Sequence, residues 1–382
     1  MLKTKKMIPL AIPHMSGMEE KYIQKAFSEN WIAPLGSNVD AFEASIASYN
    51  RVLESAVVSS GTAAIHLALQ LLDVGAGDTV FCSTFTFVAS INPALYLGAK
   101  PVFIDSEQET WCMSPFALKT ALEDARKKKQ LPKAIIVVHI YGQSAKMDEI
   151  IALANEYGVP IVEDAAEALG STYRNAPLGT LGDLGTFSFN GNKIITTSGG
   201  GALVAKQPEK IAEARFLASQ SKEDAPYYLH HQVGYNYRLS NVLAGIGIAQ
   251  MDVLNDRVAK KQEIFATYEK SLADVPSLVM MPELDVAKGN RWLSTMTFCV
   301  ETVGKTPEEV MELLKARGID SRLLWKPMHQ QPLFQDALFY ADEAGDVATK
   351  LFQTGLCLPS STQMTQEEQE YVMDTVKEIL SK

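Results

Sequence analysis

A lysine set among small and uncharged neighbours, in Asn190-Gly191-Asn192-Lys193-Ile194-Ile195-Thr196, has no amphipathic helical reason to be there. A primary amine partly withdrawn from water stays nucleophilic, so Lys193 is a candidate to hold a carbonyl cofactor covalently. Gly199-Gly200-Gly201 follows it, and Glu163-Asp164-Ala165-Ala166 precedes it at the carboxyl end of an apolar run. Open α/β sheets place their ligands at that end of their strands. An acid there can pair with a pyridinium nitrogen and preserve the electron sink of pyridoxal phosphate, although an aspartate at such a place also serves simply as a cap.

Two further segments complete the set. Ser59-Ser60-Gly61-Thr62-Ala63-Ala64 lies where a short strand meets a helix, so that unpaired backbone N–H groups at the helix start can bind phosphate. Thr84-Phe85-Thr86-Phe87 offers aromatic rings after a strand, and one could stack on a planar cofactor. Each segment has a plainer explanation as a turn, a cap or core. Their joint occurrence in this order supplies every contact that a pyridoxal phosphate aminotransferase needs.

The elements that must position these residues follow from the apolar pattern. Short runs predict strands at Ala56-Ser59, Thr79-Cys82, Pro101-Ile104, Ala134-His139, Pro160-Glu163, Leu184-Ser188 and Gly201-Ala205. Helical spacing between them predicts helices at Ala63-Leu72, Phe87-Leu97, Pro115-Lys129 and Met147-Tyr157. This alternation predicts an α/β fold with a mostly parallel sheet and helices on both faces. Met18-Ser28 and Ala41-Tyr49 read as an N-terminal helical portion. Asn241-Tyr268 reads as one or two long helices with a possible break at Asn255-Asp256-Arg257. A strand at Ser294-Val300 and helices at Pro307-Arg317 and Gln366-Leu380 complete a smaller α+β unit. The expected division is residues 1–250 for the large domain and 251–382 for the linking helix and small domain.

The chain has 382 residues, 47% of them apolar, enough for two such units. A net charge of -10 disfavours nucleic acid as a partner. Cys82, Cys112, Cys299 and Cys357 lack metal-like spacing and read as reduced thiols in a cytoplasmic protein, with no metal expected. Met1-Leu2-Lys3-Thr4-Lys5-Lys6-Met7-Ile8-Pro9 does not read as a signal peptide, and no membrane span is expected. His66 sits inside a predicted helix as a structural residue.

With these segments in view, the chain resembles the DegT/DnrJ/EryC1/StrS sugar aminotransferases. The resemblance runs through Trp31-Ile32-Ala33-Pro34-Leu35-Gly36, the Ser59 to Ala64 turn, Glu163-Asp164-Ala165-Ala166-Glu167-Ala168-Leu169-Gly170, Lys193 and Gly234-Tyr235-Asn236-Tyr237-Arg238-Leu239-Ser240-Asn241. The stretch from Asn190 to Gly201 is most similar to enzymes that aminate the C4 keto group of UDP-4-keto-6-deoxy-N-acetylglucosamine in bacillosamine-type pathways. Many members have a His-x-Thr-Lys sequence before the lysine and Glu-Gly-Gly after it; Asn190 and Ser198 replace that His and Glu here.

This resemblance implies the aspartate aminotransferase-like fold (fold type I) and a homodimer with active sites at the subunit interface. It implies that Lys193 forms the Schiff base, Asp164 pairs with the pyridine nitrogen and Phe87 stacks on the ring. Gly61, Thr62 and Ser188 would hold the phosphate, with Asn236 reaching it from the partner subunit. Glu167 takes a position that is often Gln, near the phenolic oxygen, where a carboxylate would have to be protonated or rearranged. Trp31, Arg238 and His329 match positions near the nucleotide sugar, and His329 reads equally as a satisfied loop histidine. The expected amino donor is L-glutamate, leaving as 2-oxoglutarate, with pyridoxamine phosphate between the two half-reactions. A C3 or dTDP-sugar aminotransferase of the same family is the near alternative, and a non-catalytic pyridoxal phosphate sensor or scaffold is the alternative from another class.

Overall fold

The computed structural model describes residues 7–275 and 278–381; the expectation drawn from Met1 to Lys6 lies outside them. Its largest sheet has eight strands, in the spatial order Ser55–Val58, Gly201–Ala205, Leu184–Ser188, Ile161–Asp164, Ala134–Val138, Thr79–Ser83, Lys100–Ile104 and Leu338–Tyr340. From Leu184–Ser188 to Leu338–Tyr340 every pairing is parallel, while Gly201–Ala205 runs antiparallel to both of its neighbours. The seven strands expected from the sequence are all present within one residue at most ends. Ala134–Val138 is buried along its whole length, as a strand covered on both faces must be.

The eighth strand was not legible in the sequence. Leu338–Tyr340 comes late in the chain yet pairs in parallel with Val102, Phe103 and Ile104. Its three residues are too few to show a period, and only the packing identifies them as an edge. Asp105, fully buried, fastens this crossing by accepting N–H bonds from Asp342, Val347 and Ala348.

The helix expected at Phe87-Leu97 is instead a short 3-10 turn at Val88–Ser90 and one α-helix at Asn92–Tyr96. Pro93 at the second helix's start cannot donate the bond that would fuse them. The long C-terminal pattern resolves into helices Asn241–Asp252 and Leu254–Leu272, breaking at Val253 rather than at Asn255-Asp256-Arg257. A four-stranded antiparallel sheet, Leu278–Met280, Ser294–Phe298, Gly355–Leu358 and Arg322–Leu323, builds a second core with Leu254–Leu272, Pro307–Ala316 and Gln366–Leu380. Val372 and Val376 of the last helix are fully buried there, each worth about 1.5–3 kcal/mol of transfer free energy. No helix among the described residues is long and apolar enough to cross a membrane.

Candidate active site

The carboxyl ends of the central strands open on a cavity of about 380 Å³. One wall is the start of helix Gly61–Gln70, which follows directly from strand Ser55–Val58. The Ser60 hydroxyl caps it by accepting the Ala63 N–H at 3.0 Å, leaving the N–H groups of Gly61 and Thr62 at the cavity. The backbones approach closely here, and at Gly201 that approach requires glycine. A Cβ on Gly61 would lie 3.0 Å from the Ser188 Cβ, and one on Gly201 would lie 2.5 Å from the Ser60 carbonyl carbon. Strand end and helix start are pressed together, and the Ser188 hydroxyl shares the cradle.

Asp164 ends strand Ile161–Asp164 and lines the cavity. Its Oδ1 accepts the Ala166 N–H at 3.1 Å, and its Oδ2 accepts the Ser90 hydroxyl at 2.6 Å. Ser90 is itself within 2.6 Å of the Thr86 hydroxyl. The Thr86 to Ser90 loop that carries Phe87 is therefore tied to this carboxylate. Glu163, one residue earlier, points to the other face of the sheet, as strand alternation requires. There it meets His139 Nε2 at 2.8 Å and the N–H groups of Gly179, Leu181 and Gly182. Burial would raise its pKa, but His139 and these donors hold it below the usual glutamate value. Of the two adjacent acids, only Asp164 faces the cavity.

Lys193 lies on the turn after strand Leu184–Ser188, its N–H bonded to the Asn190 carbonyl at 3.0 Å. Its amine reaches Glu167 Oε1 at 3.4 Å and sits 4.3 Å from the centre of the Trp292 ring. Glu167 also accepts the Tyr141 N–H at 2.7 Å. Burial pushes the Glu167 carboxyl pKa up, the positive charge of Lys193 opposes this, and the nearby Asp164 adds to the rise.

Three aromatic rings close the site. Phe87 is half exposed, its ring 5.3 Å from that of Trp325, and Trp292 is 2% exposed. Tyr141 stacks between the two tryptophans at 6.4 and 6.5 Å, and its hydroxyl accepts the Trp325 N–H at 3.0 Å. Sequence reasoning missed Trp292, Trp325, Ser90 and Tyr141 as site residues. Only the Thr86 to Ser90 spacing beside the aromatic run carried a hint; the tryptophans arrive from distant segments.

Of the residues picked from the sequence, Gly61, Thr62, Phe87, Asp164, Glu167, Ser188 and Lys193 line this cavity. Trp31, Asn236, Arg238 and His329 do not line it in the single chain. Trp31 and Asn236 are exposed. Arg238 donates to Glu43 at 2.8 Å, and Glu43 also binds Arg215 at 3.0 Å. His329 meets Thr84 Oγ1 at 2.7 Å and Asp346 at 3.2 Å, with its ring stacked on Phe339 at 3.8 Å. His66 is buried, with Nδ1 3.1 Å from the Tyr237 hydroxyl.

The donor set fits pyridoxal phosphate. An anion cradle stands at the helix start beside the Ser188 hydroxyl, a fixed carboxylate faces the cavity, and a primary amine lines it.

The DegT/DnrJ/EryC1/StrS aminotransferase family profile matches residues 13–377, and the chain belongs to that family. It is 54% identical over 372 residues to the putative pyridoxal phosphate-dependent aminotransferase EpsN of Bacillus subtilis (strain 168), covering 97% of this chain and 95% of that protein. It is 34% identical over 379 residues to the GDP-perosamine synthase of Escherichia coli O157:H7, covering 98% and 99%. Among solved structures, a DegT DnrJ EryC1 StrS aminotransferase from Brucella abortus superposes with a TM-score of 0.89 at 25% identity over 96% of both chains. The fold is thus the type I fold of these enzymes, and the chain is a pyridoxal phosphate-dependent sugar aminotransferase.

Proposed function

From this family membership, we propose that the enzyme transfers an amino group from L-glutamate to the C4 keto carbon of a UDP-4-keto-6-deoxy-N-acetylhexosamine, giving a UDP-4-amino-4,6-dideoxy sugar. The observation that carries the transamination is the meeting of Lys193, Asp164 and the Gly61 helix start in one cavity. The choice of sugar is supported by the similarity of the Asn190 to Gly201 stretch to enzymes acting at that carbon.

Bound pyridoxal phosphate supplies the electron sink that lets the carbon beside the amino nitrogen lose its proton. The chain's residues do the rest. Lys193 Nζ would anchor the cofactor and, as the free amine, would carry the proton that the donor carbon loses and the acceptor carbon gains. Asp164, oriented by Ser90, would pair with the ring nitrogen and keep it protonated. Gly61, Thr62 and Ser188 would hold the phosphate, and Phe87 would lie against the ring. Glu167, its pKa raised by burial, can stand protonated beside the phenolic oxygen and donate to it.

Asn236 is exposed and away from its own chain's cavity, which suits a residue completing the phosphate site of a second copy, so the proposed assembly is a homodimer. Trp31 and His329 are proposed for the sugar-nucleotide side. Arg238 would meet the diphosphate by exchanging Glu43 for it. The free cysteines suit a cytoplasmic setting.

A GDP-linked 4-keto-6-deoxy sugar is the second reading, favoured by the 34% identity to a GDP-perosamine synthase. The deciding experiment offers L-glutamate with UDP-, dTDP- and GDP-linked 4-keto-6-deoxy sugars and identifies the product by NMR. Amination of the UDP sugar at C4 is expected. Turnover confined to the GDP sugar, or an amine at C3, would replace the reading. Glutamate leaving the cofactor's spectrum unchanged would favour a sensor.

A further inference from the structure

Lys261 is a buried ammonium whose acceptor belongs to the active site. It projects from helix Leu254–Leu272, is 5% exposed, and donates to the Trp292 carbonyl at 2.7 Å. Burial pulls its pKa down, to about 7. An apolar side chain would be the cheaper choice for packing at such a place.

The peptide that it grips is constrained from every side. Asn290 Oδ1 accepts the Trp292 N–H at 2.8 Å, while Asn290 Nδ2 donates to the carbonyls of Glu167 and Leu169 at 2.9 Å. Gln262, next to Lys261 on the helix, donates to the Gly289 carbonyl at 2.8 Å. Arg291 between them takes a left-handed φ of 53°, a conformation that persists only where the surroundings enforce it. The outcome is the placing of one indole. Trp292 Nε1 donates to the Asn192 carbonyl at 2.7 Å, and the ring lies 4.3 Å from the amine of Lys193.

We propose that Lys261 is a positioning residue for Lys193: by holding the Trp292 carbonyl it fixes the indole wall that directs the Lys193 amine into the cavity. This deepens the aminotransferase reading and rests on Lys193 as the cofactor lysine.

The test compares Lys261→Met, which removes the donor, with the wild type and with Trp292→Phe. Tryptophan emission of the cofactor-free protein reports the indole, and the visible band of the loaded protein and its pH midpoint report the Lys193 nitrogen. The Met variant is expected to shift the emission component that Trp292→Phe abolishes and to move the band midpoint by about half a pH unit or more. Its kcat should fall about tenfold with KM for glutamate within about twofold. Lys261→Gln, which can donate from a shorter arm, should show the same shifts in reduced size. A folded Met variant with wild-type emission and midpoint overturns the proposal.

Should the Met variant not fold, a double-mutant cycle of Lys261→Gln with Trp292→Phe decides. A midpoint shift that vanishes in the Phe background supports the proposal, and an absent or additive shift overturns it. Failure of the Lys193 assignment itself would appear separately, as wild-type protein in which borohydride fixes no cofactor on Lys193.

Discussion

Lys193 Nζ stands 3.4 Å from Glu167 Oε1, with the two side chains only 13% and 7% exposed. A base and an acid are thus held together at the wall of a cavity that also receives Asp164 and the start of a helix. Burial denies the ionised Glu167 carboxylate its hydration and pushes the group toward its neutral form.

Lys193→Ala should fold with a melting temperature near that of the wild type, since the side chain lies at a cavity wall rather than in the core. Turnover is expected to fall by about a thousandfold or more, because both anchor and proton carrier are lost. Borohydride reduction followed by mass spectrometry should find no cofactor attached to position 193. Near-wild-type turnover would remove Lys193 from the mechanism.

Glu167→Gln isolates the raised carboxyl. A glutamate with a folded pKa above its unfolded value contributes stability that is fully present below the unfolded pKa, near 4.5, and lost as pH rises through the folded one. The difference in unfolding free energy between wild type and variant should therefore change in the acid range above pH 4.5 and level off beyond the raised pKa. Urea denaturation at a series of pH values measures it, and a constant difference would contradict the raised pKa.

Asp164→Asn should cost about a hundredfold or more in kcat, while Ser90→Ala, which removes the 2.6 Å bond orienting that carboxylate together with the Ser90 bond to Thr86, should cost about three- to tenfold. Steady-state kinetics on the two variants, with melting temperatures as controls, test the order. A Ser90→Ala loss as large as that of Asp164→Asn would give Ser90 a direct part in the chemistry.

Lys261 has the opposite linkage to an ordinary paired lysine. Its folded pKa, about 7, lies below the unfolded 10.5, so the unfolded chain binds more protons in that window and wild-type stability rises as pH rises through it. Lys261→Met lacks this term. Its stability relative to wild type should be most favourable below pH 7 and decline, on the order of a few kcal/mol, toward pH 10.5. Chemical denaturation at pH 6, 8 and 10 reads the trend, and parallel curves would contradict the lowered pKa.

The sequence by itself determined the seven chain-ordered strands of the large sheet, and with the family resemblance it named seven residues that line the cavity. Those strands were legible because a strand buried on both faces is a continuous apolar run; Lys193, the Gly61-Thr62 turn and the Glu163-Asp164 pair were legible because strand ends must carry small and functional polar residues, while Glu167 and Ser188 came only from the family resemblance. The same local signals could not tell that Glu163 turns to His139 while Asp164 turns to the cavity, since alternation assigns faces only once the sheet exists.

Tertiary structure alone decided the rest. Trp292 and Trp325 reach the cavity from segments far along the chain, and Leu338–Tyr340 joins the large sheet by a three-residue pairing. Arg238 and His329 are occupied by Glu43, Thr84 and Asp346. None of these depends on local periodicity. They are set by which surfaces remain to be buried, and which donors remain to be paired, after the sheet and its helices have packed.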